Sequence, residues 1–352
     1  MILMELLRYA AKQAPPNVAE RLLDVTMSAS QREFQWVVDA GFGPLLQLSL
    51  QPALERLPTD RRDALLGSNL VAQIRYGDLV DTTVDIIDAA ASVGTTVTLL
   101  KGISISDQYY LNPHFRPMSD IDVLLPAPAY DLVEAAILSR GFKRGRPLSS
   151  DVHHHGVPLY NPDRGNWVEL HTALVPPSSE LLDGTLFGLD NVSAQIIESE
   201  FCGRRIGRLA DCMQLAYISC TWNFDLTVLN FHPSFVAALF DAVHLLAARG
   251  QQINWSRLFS TVDNEMAAAS LLFMLSFLQR NELIRHPPNL DDLAARQRWL
   301  GPFQLRWMAA TVERYLLGGR VWTAPIPPPV VGRYCMRRQF EKRVLRRLRG
   351  PE

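Results

Sequence analysis

Two aspartates, Asp120 and Asp122, break the apolar run "MSDIDVLLP". A short aliphatic segment closed by Pro126 and Pro128 predicts a strand, and this sharply limits what the chain can be. Alternate residues on a strand share a face, so the two carboxylates project together, about 7 Å apart along the backbone. Ile121, Val123 and Leu125 then take the core face. Neighbouring carboxylates repel and raise each other's pKa unless a cation sits with them. A hard divalent ion does so, bound through one or two carboxylates and completed by substrate phosphates. A plainer reading stays open, with one aspartate capping the turn after Pro117 and the other a strand-end residue in solvent.

The flanking residues bear on that choice. "TTVTLL" (95–100) is a second strand candidate, and Lys101-Gly102 closes it ahead of a short helix, "SISDQYYLN". Glycine lets backbone approach a ligand, and a helix N-terminus offers free N–H groups to phosphate. Ser104 and Ser106 lie in that first turn. Lysine is rare in this chain: only Lys12, Lys101, Lys143 and Lys342 occur among 35 basic residues, which gives Lys101 some weight. A third acid, Glu169, lies in "NWVELHTAL" on the strand face opposite Val168 and Leu170, with His171 on its own side. Such a carboxylate can complete a two-metal site or take the proton of an attacking hydroxyl. It can also be a solvated strand residue.

The rest of the chain frames this unit. Residues 1–95 carry apolar residues at helical spacing, and so does most of 176–322. Residues 96–175 read as a compact α/β unit. It contains the helix "AYDLVEAAILSRGF" and two strands around a turn at residues 161–165. "CGRRIGRLA" predicts a further short hairpin. Residues 323–352 form a proline-rich connector and a basic tail. The expected class is thus α/β (α+β), a small mixed-sheet core flanked by helical regions.

The layout "LLKG…SDIDVLL…HHHGVPLY…WVELH" resembles the uncharacterised nucleotidyltransferase family of the polymerase-β superfamily. "DAVHLLAARGQQINWSRLF" is similar to that family's helical part. The resemblance spans about residues 30–290 and is most specific over 97–172. It implies a mixed sheet with Asp120, Asp122 and Glu169 as catalytic and metal-binding acids for Mg²⁺, with Mn²⁺ as the alternative ion. It also implies an NTP donor, ATP among the candidates, contacted by Lys101, Gly102, Ser104, Arg116 and Ser119. His154, His155 and His171 are implied substrate contacts. The chemistry implied is transfer of NMP to an acceptor, a small molecule, peptide or RNA, with release of pyrophosphate. One departure stands out: Gly102 precedes Asp120 by 18 residues and is followed by isoleucine, not serine. Toxin-type nucleotidyltransferases with a "KGG" turn resemble this longer layout.

Other classes compete. His153, His154 and His155 with His171 and Glu169 could imitate a zinc site, but adjacent strand residues point to opposite faces and the spacing fits no zinc motif. His244, three residues after Asp241, reads as a packed or capping pair. An inert scaffold of the same fold would be expected to lose the acids, and all three are present. Between Arg333 and Arg349 lie eight basic residues against Glu341. Phe340, Val344, Leu345 and Leu348 make an apolar stripe there, so the tail is either a docked helix or a contact for RNA, an acidic partner or a membrane surface. The net charge of −1, with 48% hydrophobic and 20% charged residues, gives no global case for nucleic acid or membrane. Four cysteines without regular spacing predict free thiols, and the longest uncharged apolar run, 266–278, suits a buried helix. The expected location is the cytoplasm, with no stable membrane insertion.

Overall fold

The protein is described here from a computed structural model covering residues 1–11, 17–146, 156–177, 179–227, 234–298 and 300–318. Residues 153–155, the proline-rich connector and the basic tail, and with them the readings made of those segments, lie outside the described residues. Five helices open the chain: α1 (Ile2–Ala10), α2 (Val18–Ser28), α3 (Gln31–Val37), α4 (Gly43–Leu50) and the long α5 (Thr59–Ser92). A π-helical turn, Val38–Phe42, joins α3 to α4. Gly41 takes φ +84° there, and a side chain on it would meet Pro117 Cβ at 2.6 Å. That close approach seats the turn against the loop leading to Asp120.

The central segment follows the sequence pattern. β1 (Thr98–Leu99) leads directly into α6 (Lys101–Tyr109), then come β2 (Asp120–Leu124) and α7 (Tyr130–Leu138). β3 (Lys143–Arg144), β4 (Leu159–Asn161) and β5 (Asn166–His171) complete the segment. The helix was expected over "SISDQYYLN"; it begins earlier, at Lys101, so the Lys-Gly pair forms its first turn. After α8 (Leu189–Ala194), the expected hairpin appears as β6 (Ile196–Phe201) and β7 (Arg204–Leu209). It extends the main sheet: β7 pairs in parallel with β1, giving the order β3-β4-β5-β2-β1-β7-β6. The sheet therefore runs well past residue 175.

Helices α9 (Asp211–Thr227), α10 (Ser234–Arg249), α11 (Trp255–Thr261), α12 (Glu265–Arg280), α13 (Asp291–Ala295) and α14 (Pro302–Gly318) follow. The core has two parts. In one, Ile121, Val123, Val168 and Leu170 of the sheet pack with Ile86 of α5 and Ile137 of α7. In the other, the first and last helices share one apolar interior, with Leu3, Phe42, Phe240, Phe273 and Tyr315 together. Phe42 stacks on Phe240 at 4.5 Å, and Trp36 meets Tyr315 edge-on at 5.6 Å. The two helical flanks thus form a single body. The run 266–278 is the buried interior of α12, and no described helix is long and apolar enough to cross a membrane. Cys202, Cys212 and Cys220 are free.

Candidate active site

β2 owes its stability to one face. Ile121 and Val123 are fully buried, each contributing about 1.5–3 kcal/mol relative to exposure. That leaves the other face to carry the acids. β5 lies parallel to β2 and in register, with Asp122 opposite Glu169. This pairing brings together two carboxylates 47 residues apart. Parallel pairing also sets His171 on the same face as Glu169, one alternation further along.

Asp122 is buried at 3% exposure, so it is not a strand-end residue in solvent, whereas Asp120, the first residue of β2, is half-buried. Its Oδ1 accepts from Lys101 Nζ at 2.7 Å and lies 2.7 Å from His171 Nε2, which is 3.6 Å from Glu169 Oε2. Ligand atoms of Asp122, Glu169 and His171 fall within 4.8 Å of one another. Burial works against the Asp122 charge, but Lys101 and the His171 contact outweigh it and hold the carboxyl well below its usual range. Burial likewise opposes the Lys101 charge, and Asp122, with Tyr217 and Glu169 beyond it, lifts the ammonium pKa above its ordinary value. Asp120 behaves oppositely. Burial and the neighbouring Asp122 raise its pKa against the smaller pull of Lys101, Ser119 and Arg116. Ser119 Oγ donates to Asp120 Oδ1 at 3.1 Å.

Lys101 holds φ +40°, an uncommon conformation for a residue with a side chain. Its bond to Asp122 and the one from Leu100 N to the Asp122 carbonyl (3.0 Å) fix it at the head of α6. The glycine is explained differently from expectation. A Cβ on Gly102 would lie 2.8 Å from Arg116 Nη1 and 3.0 Å from Met118 Cγ, so the packing of these two side chains requires glycine there.

Arg116 is placed deep. Its Nε and Nη2 donate to the two Asp241 oxygens, each at 2.8 Å, and Tyr110 OH donates to Asp241 Oδ1 at 2.8 Å. Tyr110 stacks on His244 at 3.8 Å, so Asp241 and His244 are linked through that ring. Ser104 is fully buried, its hydroxyl accepting from Gln108 Nε2 at 3.0 Å and its carbonyl from Arg208 Nη1 at 2.9 Å. His171 is fully buried behind Asp122. The fold therefore gathers Lys101, Ser119, Asp120, Asp122, Glu169 and His171, sets Gly102 beside them, and turns Ser104 and Arg116 inward. Gly156 donates its backbone N–H to Leu170 O at 3.1 Å, so the chain at Gly156 lies beside the strand carrying Glu169.

A buried ion pair is a poor stabilising device. Replacement by apolar residues is often neutral or stabilising by about 1–4 kcal/mol. Stability alone therefore gives little account of the acid cluster.

Comparison with known proteins gives three findings. The family model described as "Uncharacterised nucleotidyltransferase" matches residues 26–281. No curated protein matches the chain. Among solved structures, it is similar to ANT(2")-Ia in a crystal complex with adenylyl-2"-tobramycin. The identity there is 13%, over 55% of this chain and 96% of that one, with a TM-score of 0.37. It is also similar to an antigenic nucleotidyltransferase-like protein from Paracoccidioides brasiliensis, at 14% identity over 57% of this chain and 90% of that one, with a TM-score of 0.35.

Proposed function

The chain belongs to the uncharacterised nucleotidyltransferase family, and on that premise we propose that it transfers a nucleoside monophosphate from an NTP to an acceptor in a Mg²⁺-dependent reaction. The observation that carries this reading is the in-register facing of Asp122 and Glu169 beside Asp120 and Lys101. The donor set fits a divalent cation. Lys101 is paired with Asp122 and Arg116 with Asp241, and Asp120 stands beside Asp122 with its pKa raised first by burial and then by that neighbouring charge, which a bound cation would relieve.

Asp120, Asp122 and Glu169 would hold the ion. When bound, it supplies charge neutralisation at the triphosphate, the usual basis of phosphoryl-transfer catalysis. Lys101 attracts the phosphate chain, and the first-turn N–H groups of α6 add donors of the same sense. His171 keeps Asp122 ionised and oriented. Glu169 takes the proton of the acceptor hydroxyl while that oxygen bonds to the α-phosphorus. The bond from the α-phosphorus to the bridging oxygen breaks, and pyrophosphate leaves. Catalysis then rests on positioning and preorganised charge.

A thermal-shift screen against each NTP, with and without Mg²⁺, tests the reading. One NTP should stabilise the protein only with Mg²⁺, and the Asp120→Asn/Asp122→Asn variant should lose the effect. A cooperatively melting wild type that answers to no nucleotide would favour a binding module instead.

A further inference from the structure

The face of the sheet that carries the acids also carries an exposed aromatic pair. Trp167 is the second residue of β5, two positions before Glu169, and the parallel register sets it directly opposite Asp120. Alternation puts its side chain on the Glu169 side of the sheet, with Val168 turned into the core. β4 continues the row: Tyr160 pairs with Trp167 in the antiparallel register, and the two rings lie 4.9 Å apart at 43°. Across the strands the order on this face is thus Tyr160, Trp167, Asp120. Neighbouring strands lie about 5 Å apart, so the indole starts one strand away from the acids.

The fold makes room for that ring. A Cβ on Gly145, just past β3, would lie 2.8 Å from Trp167 Cζ3 and 3.3 Å from Cη2, so the glycine seats the far edge of the indole. Gly145 N in turn donates to Pro158 O at 2.7 Å, next to β4. The indole is held between Gly145 and Tyr160, yet Trp167 remains 44% exposed. A fixed, solvent-facing aromatic pair is a stacking platform, which a planar ring or the C–H face of a sugar covers at little entropic cost. Which reactant covers it follows from the in-line displacement, whose attacking and leaving oxygens lie on opposite sides of the phosphorus. Lys101, at the end of β1, draws the pyrophosphate to one side of Asp120 and Asp122, and β5 and β4 lie on the other. That side holds Glu169, Trp167 and Tyr160.

We propose that Trp167, supported by Tyr160, is the binding platform for the acceptor, and that the hydroxyl deprotonated by Glu169 is carried on or beside a single ring of a small molecule, sugar or aromatic. This rests on the nucleotidyltransferase reading above and narrows its acceptor. One indole and one phenol ring offer a surface the size of a single ring, which favours a small molecule over a run of stacked bases. Stacking leaves the ring's edge free, so Glu169 and the phosphorus set which hydroxyl reacts.

The test is NMR of the whole protein labelled with ¹⁵N at tryptophan, the Trp167 indole N–H being identified by its absence in Trp167→Phe. Calorimetry first selects the NTP that wild type binds with Mg²⁺, and a non-hydrolysable analogue of it fills the donor site. Methyl α-D-glucopyranoside, tyramine, glycerol and a short single-stranded RNA are then titrated separately. The Trp167 resonance should move with the glucoside or with tyramine, which tells a sugar acceptor from an aromatic one, and stay still with glycerol, a polyol without a ring. Read from the ligand's own signals, Trp167→Ala should weaken the responding probe about 5- to 100-fold, the worth of one ring stacked on an aromatic. Trp167→Phe should weaken it less, and both variants should keep NTP affinity within about twofold of wild type. No response to either ring compound, an equal response to glycerol, or a response to the RNA alone would overturn the proposal while NTP binding stands. A loss of NTP affinity of about tenfold or more in Trp167→Ala would assign the ring to the donor base and overturn it as well. No NTP binding by wild type would remove the functional reading and this inference together.

Discussion

Replacing Asp241 with leucine gives the sharpest test of how the site is braced. The carboxylate is 2% exposed and receives three hydrogen bonds, two from Arg116 and one from Tyr110. The Arg116 side chain is itself only 11% exposed. Removing one member of a buried ion pair strands the other charge, which costs about 3–5 kcal/mol. The Tyr110 hydroxyl loses its acceptor as well, a further penalty of about 1–3 kcal/mol that overlaps the first. Adding Arg116→Met removes the stranded charge and replaces it with a side chain of similar reach. The double variant should then lie within about 2 kcal/mol of wild type, the residue being the orphaned hydroxyl. Urea denaturation of wild type, both single variants and the double variant measures this directly, provided the m-values agree. Losses that simply add in the double variant would refute the argument that Arg116 is buried for Asp241's sake.

Other perturbations follow from the same geometry. Gly102→Val should cost about 1–3 kcal/mol in a denaturant titration, because Arg116 is pinned and cannot yield to a Cβ; a neutral result would mean that the first turn of α6 is loose. In chelator-treated protein, Asp120→Asn should raise the melting temperature, since burial and Asp122 disfavour its charge; a lower melting temperature would contradict this. Asp263 accepts from the N–H and Oγ1 of Thr185, both at 2.8 Å, and from Leu186 N at 3.3 Å. Burial opposes the charge there, but those bonds hold the pKa below the ordinary carboxylate range. Its stabilising effect is thus present above about pH 4, the unfolded value, and lost as pH falls through the lower folded value. Asp263→Asn should flatten the acid limb of the stability curve, and an unchanged limb would exclude the assignment.

Local pattern carried much of the architecture. β2, β4 and β5, together with α7, were readable because each sequence alternates or repeats on its own. The acids were readable for the same reason: a carboxylate among Ile121, Val123 and Leu125 has few uses. Non-local pairing was hidden. Nothing near Gly207 announces that β7 lies beside β1, and nothing in α1 says that Leu3 shares a core with Tyr315. The same limit applied within the site. Arg116 looked like a phosphate ligand until its partner appeared 125 residues later. Gly102 looked like a ligand-facing glycine, though its neighbours are side chains from the loop before β2.

The central claim is that Asp120, Asp122 and Glu169 form a divalent-metal site completed by an NTP. Mn²⁺ can stand in for Mg²⁺ and is visible by electron paramagnetic resonance, so titrating Mn²⁺ with and without NTP into wild type and Asp122→Asn tests it without knowing the acceptor. The account predicts tight, NTP-dependent Mn²⁺ binding in wild type that disappears in the variant while its fold persists. Equal Mn²⁺ binding by both proteins, or none by a folded wild type with any NTP, would contradict it.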